Sequence, residues 1–162
     1  MPSGSVFLRR RADRQPRQVC SILLPYGPIE YALPAMSFAP NRNLVLVVDD
    51  DPGMLRGVQR LLRQHAYEPI LFSSAQVFKS HTDFEKAVCV ILDINLKDGS
   101  GIELRHRLKA DGVTVPVIYI SGNEDPAVRK AALASGCIAF LTKPFSAQWL
   151  IEPLKKVSAG RS

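Results

Sequence analysis

From residue 43 onward, short apolar runs alternate with stretches in which apolar side chains recur at helical spacing. Leu44–Val48 is continuously apolar, as a strand buried on both faces requires. In Met54–His65 the residues Met54, Leu55, Val58, Leu61 and Leu62 share one helical face. Pro69–Phe72 reads as a second strand and Ala75–Lys79 as a short helix. Val88–Leu92 is a third apolar run, followed by a helix over Gly101–Lys109 in which Ile102, Leu104 and Leu108 are apolar. Val115–Ile120 is a fourth strand, and Pro126–Ala134 a helix with proline in its first turn, where a missing N–H costs nothing. Ile138–Leu141 is the fifth strand. Ser146–Val157 is the last helix, with Ser146 available as its cap and Pro153 expected to kink it or shift its boundary.

Five strands alternating with helices predict an α/β fold: a (βα)5 doubly wound, five-stranded parallel sheet with helices on both faces. Residues 43–158 form this domain, residues 159–162 a tail. Residues 1–42 are read as a disordered, basic extension, because six prolines interrupt them and neither a period of 2 nor one of 3.6 is sustained. A short helix or strand at Val19–Leu24 is the one regular element they would hold. The first 40 residues carry five arginines against two acids, half of the net charge of +6 in a quarter of the length. The rest is only mildly basic, which gives little support to nucleic-acid binding. Cys20, Cys89 and Cys137 lie far apart with no metal-ligand spacing, and Cys89 sits in an apolar run as a buried thiol. Such cysteine usage fits a reducing cytoplasm. No apolar run reaches the roughly 18 residues of a membrane span.

In a doubly wound sheet the functional crevice lies at the carboxyl ends of the strands. There the first strand delivers Asp49, Asp50 and Asp51, the third Asp93, the fourth Ser121, and the fifth Lys143 and Pro144. Each alone reads as a solvated cap or loop residue. Together they suit phosphoryl transfer to a carboxylate. Clustered carboxylates repel and raise one another's pKa unless a cation joins them, and hard oxygen donors select Mg²⁺. An ammonium and a hydroxyl can hold the remaining phosphoryl oxygens, and an aspartate can be the nucleophile.

Four segments give this constellation a resemblance. Val45–Pro52 (VLVVDDDP), Cys89–Gly101 (CVILDINLKDGSG), Val115–Gly122 (VPVIYISG) and Gly136–Phe145 (GCIAFLTKPF) resemble, in order, segments of response regulator receiver domains, the CheY-like, flavodoxin-like proteins of two-component systems. The resemblance covers about residues 43–157. It implies Asp93 as the phosphorylated residue, with Ser121 and Lys143 assisting. Asp50 would ligate Mg²⁺ directly, Asp49 partly through water, Asp93 as a ligand, and Asn95 through its backbone carbonyl. Ser121 and Phe140 would be the switch pair, and the Lys143–Pro144 bond would be cis. Asp51 would act locally. The phosphoryl group would come from a sensor histidine kinase or a histidine phosphotransfer protein. The readout would be a partner, a second copy of this chain among the candidates, on the face made by the fourth helix, fifth strand and fifth helix.

The chain departs from the family at Lys97, where proline is frequent, and at Gly122, where alanine is. Gly99 and Gly101 are expected to supply the turn through positive φ. Asp125 and Arg129 are spaced as an i,i+4 ion pair worth about 0.3–0.5 kcal/mol. His65, His81 and His106 stand apart from the acids, and Trp149 reads as a packing or partner residue. Two other functions compete. A haloacid dehalogenase type phosphatase would use Asp49-x-Asp51, but it expects Thr or Val where Gly53 stands and leaves Asp93 unexplained. A pseudo-receiver would keep the fold without the chemistry. The chain closes soon after the fifth helix, so a stand-alone receiver with no DNA-binding domain, itself not an enzyme, is expected. Residues 1–35 are expected to be dispensable, with Met36 a candidate native start; the competing reading is a functional basic tail, five arginines within Arg9–Arg17 attracting phosphates.

Overall fold

The computed structural model describes residues 43–160. The expectations for the basic extension, its start site and Val19–Leu24 lie outside the described residues.

Five strands make one parallel sheet: β1 (Leu44–Val48), β2 (Glu68–Phe72), β3 (Ala87–Asp93), β4 (Val117–Ser121) and β5 (Ala139–Thr142). Their order is β2-β1-β3-β4-β5, with the strand order reversing beside β1. Four helices connect them, α1 (Pro52–Gln64), α2 (Ala75–Lys79), α3 (Gly101–Ala110) and α4 (Pro126–Ala134), and α5 (Ala147–Gly160) follows the last strand. The predicted doubly wound architecture is what forms. Alternate side chains of the central strands feed two cores. Leu46, Val48, Val90, Leu92 and Tyr119 face α2, α3 and α4, while Val45, Val47, Ile91, Ile118 and Ile120 face α1 and α5. β3 is buried at all seven positions, which explains its unbroken apolar sequence.

Local signals set most helix starts. Asp51 caps α1 by accepting from Gly53 N–H, with Pro52 in the first turn, so the helix begins two residues before its first apolar contact. Ser74, Ser100 and Asp125 cap α2, α3 and α4 in the same way. Gly112 and Gly136 follow the ends of α3 and α4 at φ +75 and +83, the left-handed conformation that glycine adopts without strain.

Pro153 does not bound the last helix. It lies inside α5, which runs on to Gly160. A proline inside a helix costs about 3 kcal/mol. Leu150, Ile151 and Leu154 on the same helix are at most 3% exposed, and burying each is worth about 1.5–3 kcal/mol, so packing wins.

A candidate phosphoryl-acceptor pocket

The carboxyl ends of β1, β3 and β5 converge because β1 and β3 are neighbours and β4 lies between β3 and β5. Asp49 follows β1 directly and is 1% exposed; Asp93 ends β3 and is 5% exposed. One carboxylate oxygen from each of Asp49, Asp50 and Asp93 lies within 4.8 Å of the others. Lys143 Nζ donates to Asp49 Oδ2 at 2.9 Å and to Asp93 Oδ2 at 3.4 Å, so one ammonium bridges the two buried acids. The Lys143 backbone N–H is anchored to Ser121 O at 2.8 Å. The Lys143–Pro144 bond is cis.

The electrostatics follow from burial. Desolvation pushes the Asp93 carboxyl above the usual carboxylate range, against the Lys143 charge, and the charge of Asp49 adds to the rise. Burial pulls the Lys143 ammonium down, but its hydrogen bond to Asp49 and the charges of Asp93 and Asp49 outweigh that and raise it. The pocket holds three carboxylates against one ammonium, and three hard oxygen donors so close together fit a small divalent cation such as Mg²⁺.

The loop after β3 is built around these acids. Asn95 N–H donates to Asp93 Oδ1 at 3.2 Å and Lys97 N–H to Asp50 Oδ2 at 2.9 Å. Proline at position 97 could not make the second bond. Asn95–Leu96 and Gly99–Ser100 form a two-stranded antiparallel ribbon that turns the chain into α3. Neither Gly99 nor Gly101 has the positive φ expected of it. Gly101 is needed for closeness instead: a Cβ there would sit 2.4 Å from the Asp93 carbonyl oxygen. Asp98, given no role by the sequence pattern, accepts from Ala75 N–H and Gln76 N–H, both at 2.9 Å, and so ties the loop to the first turn of α2. The Asp-Gly turn signal conceals this role, because the partner helix lies more than 20 residues upstream.

Those two backbone hydrogen bonds hold the Asp98 carboxyl below the usual carboxylate range. A carboxyl lowered on folding stabilises the fold above its unfolded pKa, and the benefit fades as pH falls through the folded value. We expect Asp98→Ala to be less stable than the wild type at neutral pH in urea unfolding, with the difference closing in strong acid. A gap that persists unchanged in acid would show that the charge is not what acts.

Ser121 and Phe140, expected to be a switch pair, lie on adjacent strands. Ser121 ends β4 and is fully buried; its hydroxyl donates to Asn123 O at 3.2 Å and accepts from Asn123 N–H at 3.0 Å. Phe140 on β5 is half-buried against the α2–α4 core. Arg129, expected to pair with Asp125, turns to Phe140 instead, its guanidinium carbon 4.9 Å from the ring centroid. His81 joins Phe72 and Phe84 in edge-on ring contacts, away from the acids. Trp149 is 60% exposed on α5.

A doubly wound sheet with a lysine-bridged acidic pocket beside its strand-order reversal defines an α/β protein whose candidate site joins three carboxylates and one ammonium. The family follows from the sequence: the model of the response regulator receiver domain matches residues 45–155, and the chain belongs to that family. It is 31% identical over 113 residues to the response regulator protein TodT of Pseudomonas putida, covering 70% of this chain and 50% of TodT. Nodulation protein W of Bradyrhizobium diazoefficiens is 32% identical over 114 residues, 70% of this chain and 50% of that protein. The chain thus spans about half the length of the curated relatives it matches. Among solved structures, the response regulator StyR is similar with a TM-score of 0.66 and 34% identity, over 73% of this chain and 61% of StyR. A receiver protein from Pseudoalteromonas atlantica shares the fold with a TM-score of 0.70 at 23% identity, over 74% of this chain and 99% of that one. Receiver domains are signalling modules of two-component systems. Among the described residues, no helix is long and apolar enough to cross a membrane.

Proposed function

We propose that this chain accepts a phosphoryl group on Asp93 in a two-component or phosphorelay pathway and signals through changed protein contacts. The observation that carries this reading is the Lys143 ammonium bridging Asp49 and Asp93 beside Asp50. A carboxylate oxygen of Asp93 attacks phosphorus, forming an acyl phosphate, while the phosphorus–nitrogen bond of a phosphohistidine donor breaks and the imidazole keeps the electron pair. Lys143 holds one phosphoryl oxygen, and the Ser121 hydroxyl turns to another. Asp49, Asp50, Asp93 and the Asn95 carbonyl are the groups we assign to Mg²⁺. When bound, Mg²⁺ supplies neutralisation of the charge on the transferring group.

The donor we assign is a sensor histidine kinase or a histidine phosphotransfer protein, and the compartment the cytoplasm. The readout face is α4, β5 and α5, where Leu133 and Trp149 are exposed. The receiver family match speaks against the phosphatase reading, which also leaves Asp93 without a role.

Acetyl phosphate with Mg²⁺ tests the reading. One phosphoryl group per chain, labile to hydroxylamine and mapped to Asp93 by mass spectrometry, is the expected result. Labelling elsewhere, no labelling, or steady turnover of p-nitrophenyl phosphate would sink it. Loss of an outer-shell partner already weakens metal sites by about 10–100-fold, so Asp50→Ala, which removes a ligand, is expected to weaken Mg²⁺ binding by at least about tenfold. Calorimetric titration checks this, and wild-type affinity in the variant would contradict the assigned ligand set.

A further inference from the structure

The three acids of the pocket are not held alike. Asp49 accepts from Lys143 Nζ and, at 2.8 Å, from Asp51 N–H two residues on. Asp93 accepts from the same ammonium and from Asn95 N–H, again two residues on. Asp50 has neither the ammonium nor a donor close in sequence. Among the described residues, the one hydrogen bond its carboxylate accepts comes from Lys97 N–H at 2.9 Å, 47 residues away.

Position 97 is itself held from outside the pocket. It lies in the turn of the Asn95–Leu96 and Gly99–Ser100 ribbon, next to Asp98. One Asp98 oxygen accepts from Ala75 N–H and the other from Gln76 N–H, while Ser74 Oγ takes Val77 N–H at 3.2 Å. The first three N–H groups of α2, which a helix leaves without internal acceptors, are thus met by two side chains, and Asp98 meets two of the three. Ala75 and Phe78, both 1% exposed, seat α2 on the core. A continuous path runs from that core through Asp98 and the residue 97 amide to the Asp50 carboxylate.

We propose that Lys97 and Asp98 form a tether that orients Asp50 for the cation and links occupation of the pocket to the start of α2. The inference rests on Asp50 as a Mg²⁺ ligand and does not depend on which residue is phosphorylated. The Lys97 N–H occupies one lone pair of Asp50 and leaves the rest of that carboxylate to a metal, as outer donors to metal-binding carboxylates do. Proline, frequent at this position in the family, has no N–H to offer, so the tether is particular to chains with another residue there. Lys97 and Asp98 act through Asp50 and are positioning residues. Coupling between two sites is reciprocal. A tether that raises cation affinity by some factor is itself strengthened by the cation to the same degree, so the Ala75 and Gln76 amides should respond to a pocket they do not line.

The full chain is titrated with Mg²⁺ by calorimetry, and exchange of the Ala75 and Gln76 amides is followed by NMR with and without Mg²⁺. Lys97→Pro should lose about tenfold in Mg²⁺ affinity, the low end for an outer partner, because Asp50 is only partly buried. Lys97→Ala keeps the N–H and should recover most of that loss. Asp98→Ala leaves the backbone at 97 unchanged and should lose affinity several-fold. Combining Lys97→Pro with Asp98→Ala should cost less than the product of the two losses, because both cut one path. Saturating Mg²⁺ should slow exchange at Ala75 and Gln76 in the wild type and leave it unchanged in Lys97→Pro.

Wild-type affinity in either Lys97→Pro or Asp98→Ala overturns the tether, as do equal losses in Lys97→Pro and Lys97→Ala, or losses that multiply in the double variant. Should Lys97→Pro fail to fold, Asp98→Ala and the response of the two amides to Mg²⁺ decide alone. In each of these cases a weakened Asp50→Ala keeps the assigned ligand set standing. A wild type that binds no Mg²⁺ overturns the cation pocket, and the tether with it.

Discussion

Asp93→Asn is expected to reduce labelling by acetyl phosphate to background. The amide oxygen is a far poorer nucleophile than a carboxylate, and no neighbouring acid is placed to replace it: Asp49 is buried and paired to Lys143 at 2.9 Å, while Asp50 accepts from the Lys97 backbone. The variant should still fold. Burial raises the Asp93 carboxyl, so the ionised side chain opposes folding at neutral pH, and the sign of that effect is fixed by the raised pKa. A neutral amide of the same shape removes the cost, and Lys143 keeps Asp49 as its partner. We therefore expect thermal unfolding of Asp93→Asn at or above the wild-type midpoint. Labelling at wild-type yield would end the assignment, and a collapse in stability would show that the Lys143–Asp93 contact matters more than desolvation.

Gly101→Ala is expected to be among the most damaging single-methyl additions in the domain. The added Cβ would lie 2.4 Å from the Asp93 carbonyl oxygen, 3.1 Å from its carbonyl carbon and 3.2 Å from Ile94 Cα. All three are backbone atoms, so no side chain can swing away. Either α3 retreats from β3 or the end of β3 shifts, at a cost of about 1–3 kcal/mol or more. Because β3 ends in Asp93, the same shift should slow labelling. Gly57→Ala is the control: that glycine is exposed within α1, nothing lies within 4 Å of its Cβ position, and alanine there should stabilise by about 0.5–1 kcal/mol. Urea unfolding of the two variants should move in opposite directions. Wild-type stability and labelling in Gly101→Ala would refute the close-approach argument.

The sheet and the acids at its edge were legible in the sequence because both are written in local terms. A strand buried on both faces must be apolar throughout, as β1 and β3 are, and caps such as Asp51 and Ser74 act on N–H groups two or three residues away. From the sequence alone came the parallel doubly wound sheet, the placing of Asp49, Asp50, Asp93, Ser121 and Lys143 at strand ends, and a short α2. Tertiary structure decided what each of these groups touches. The strand order brings Lys143 to Asp49 across 94 residues and Asp50 to the Lys97 amide across 47, pairings that no periodicity encodes. It also carried α5 through Pro153, because the helix buries more against the sheet than the proline costs. The role of Gly101 depends on how closely α3 passes the end of β3, and the choice of Phe140 over Asp125 by Arg129 depends on β5 lying beside α4. Spacing along one chain sets which groups can be near a site, whereas distance and desolvation, which set their chemistry, arise only once separate elements have packed.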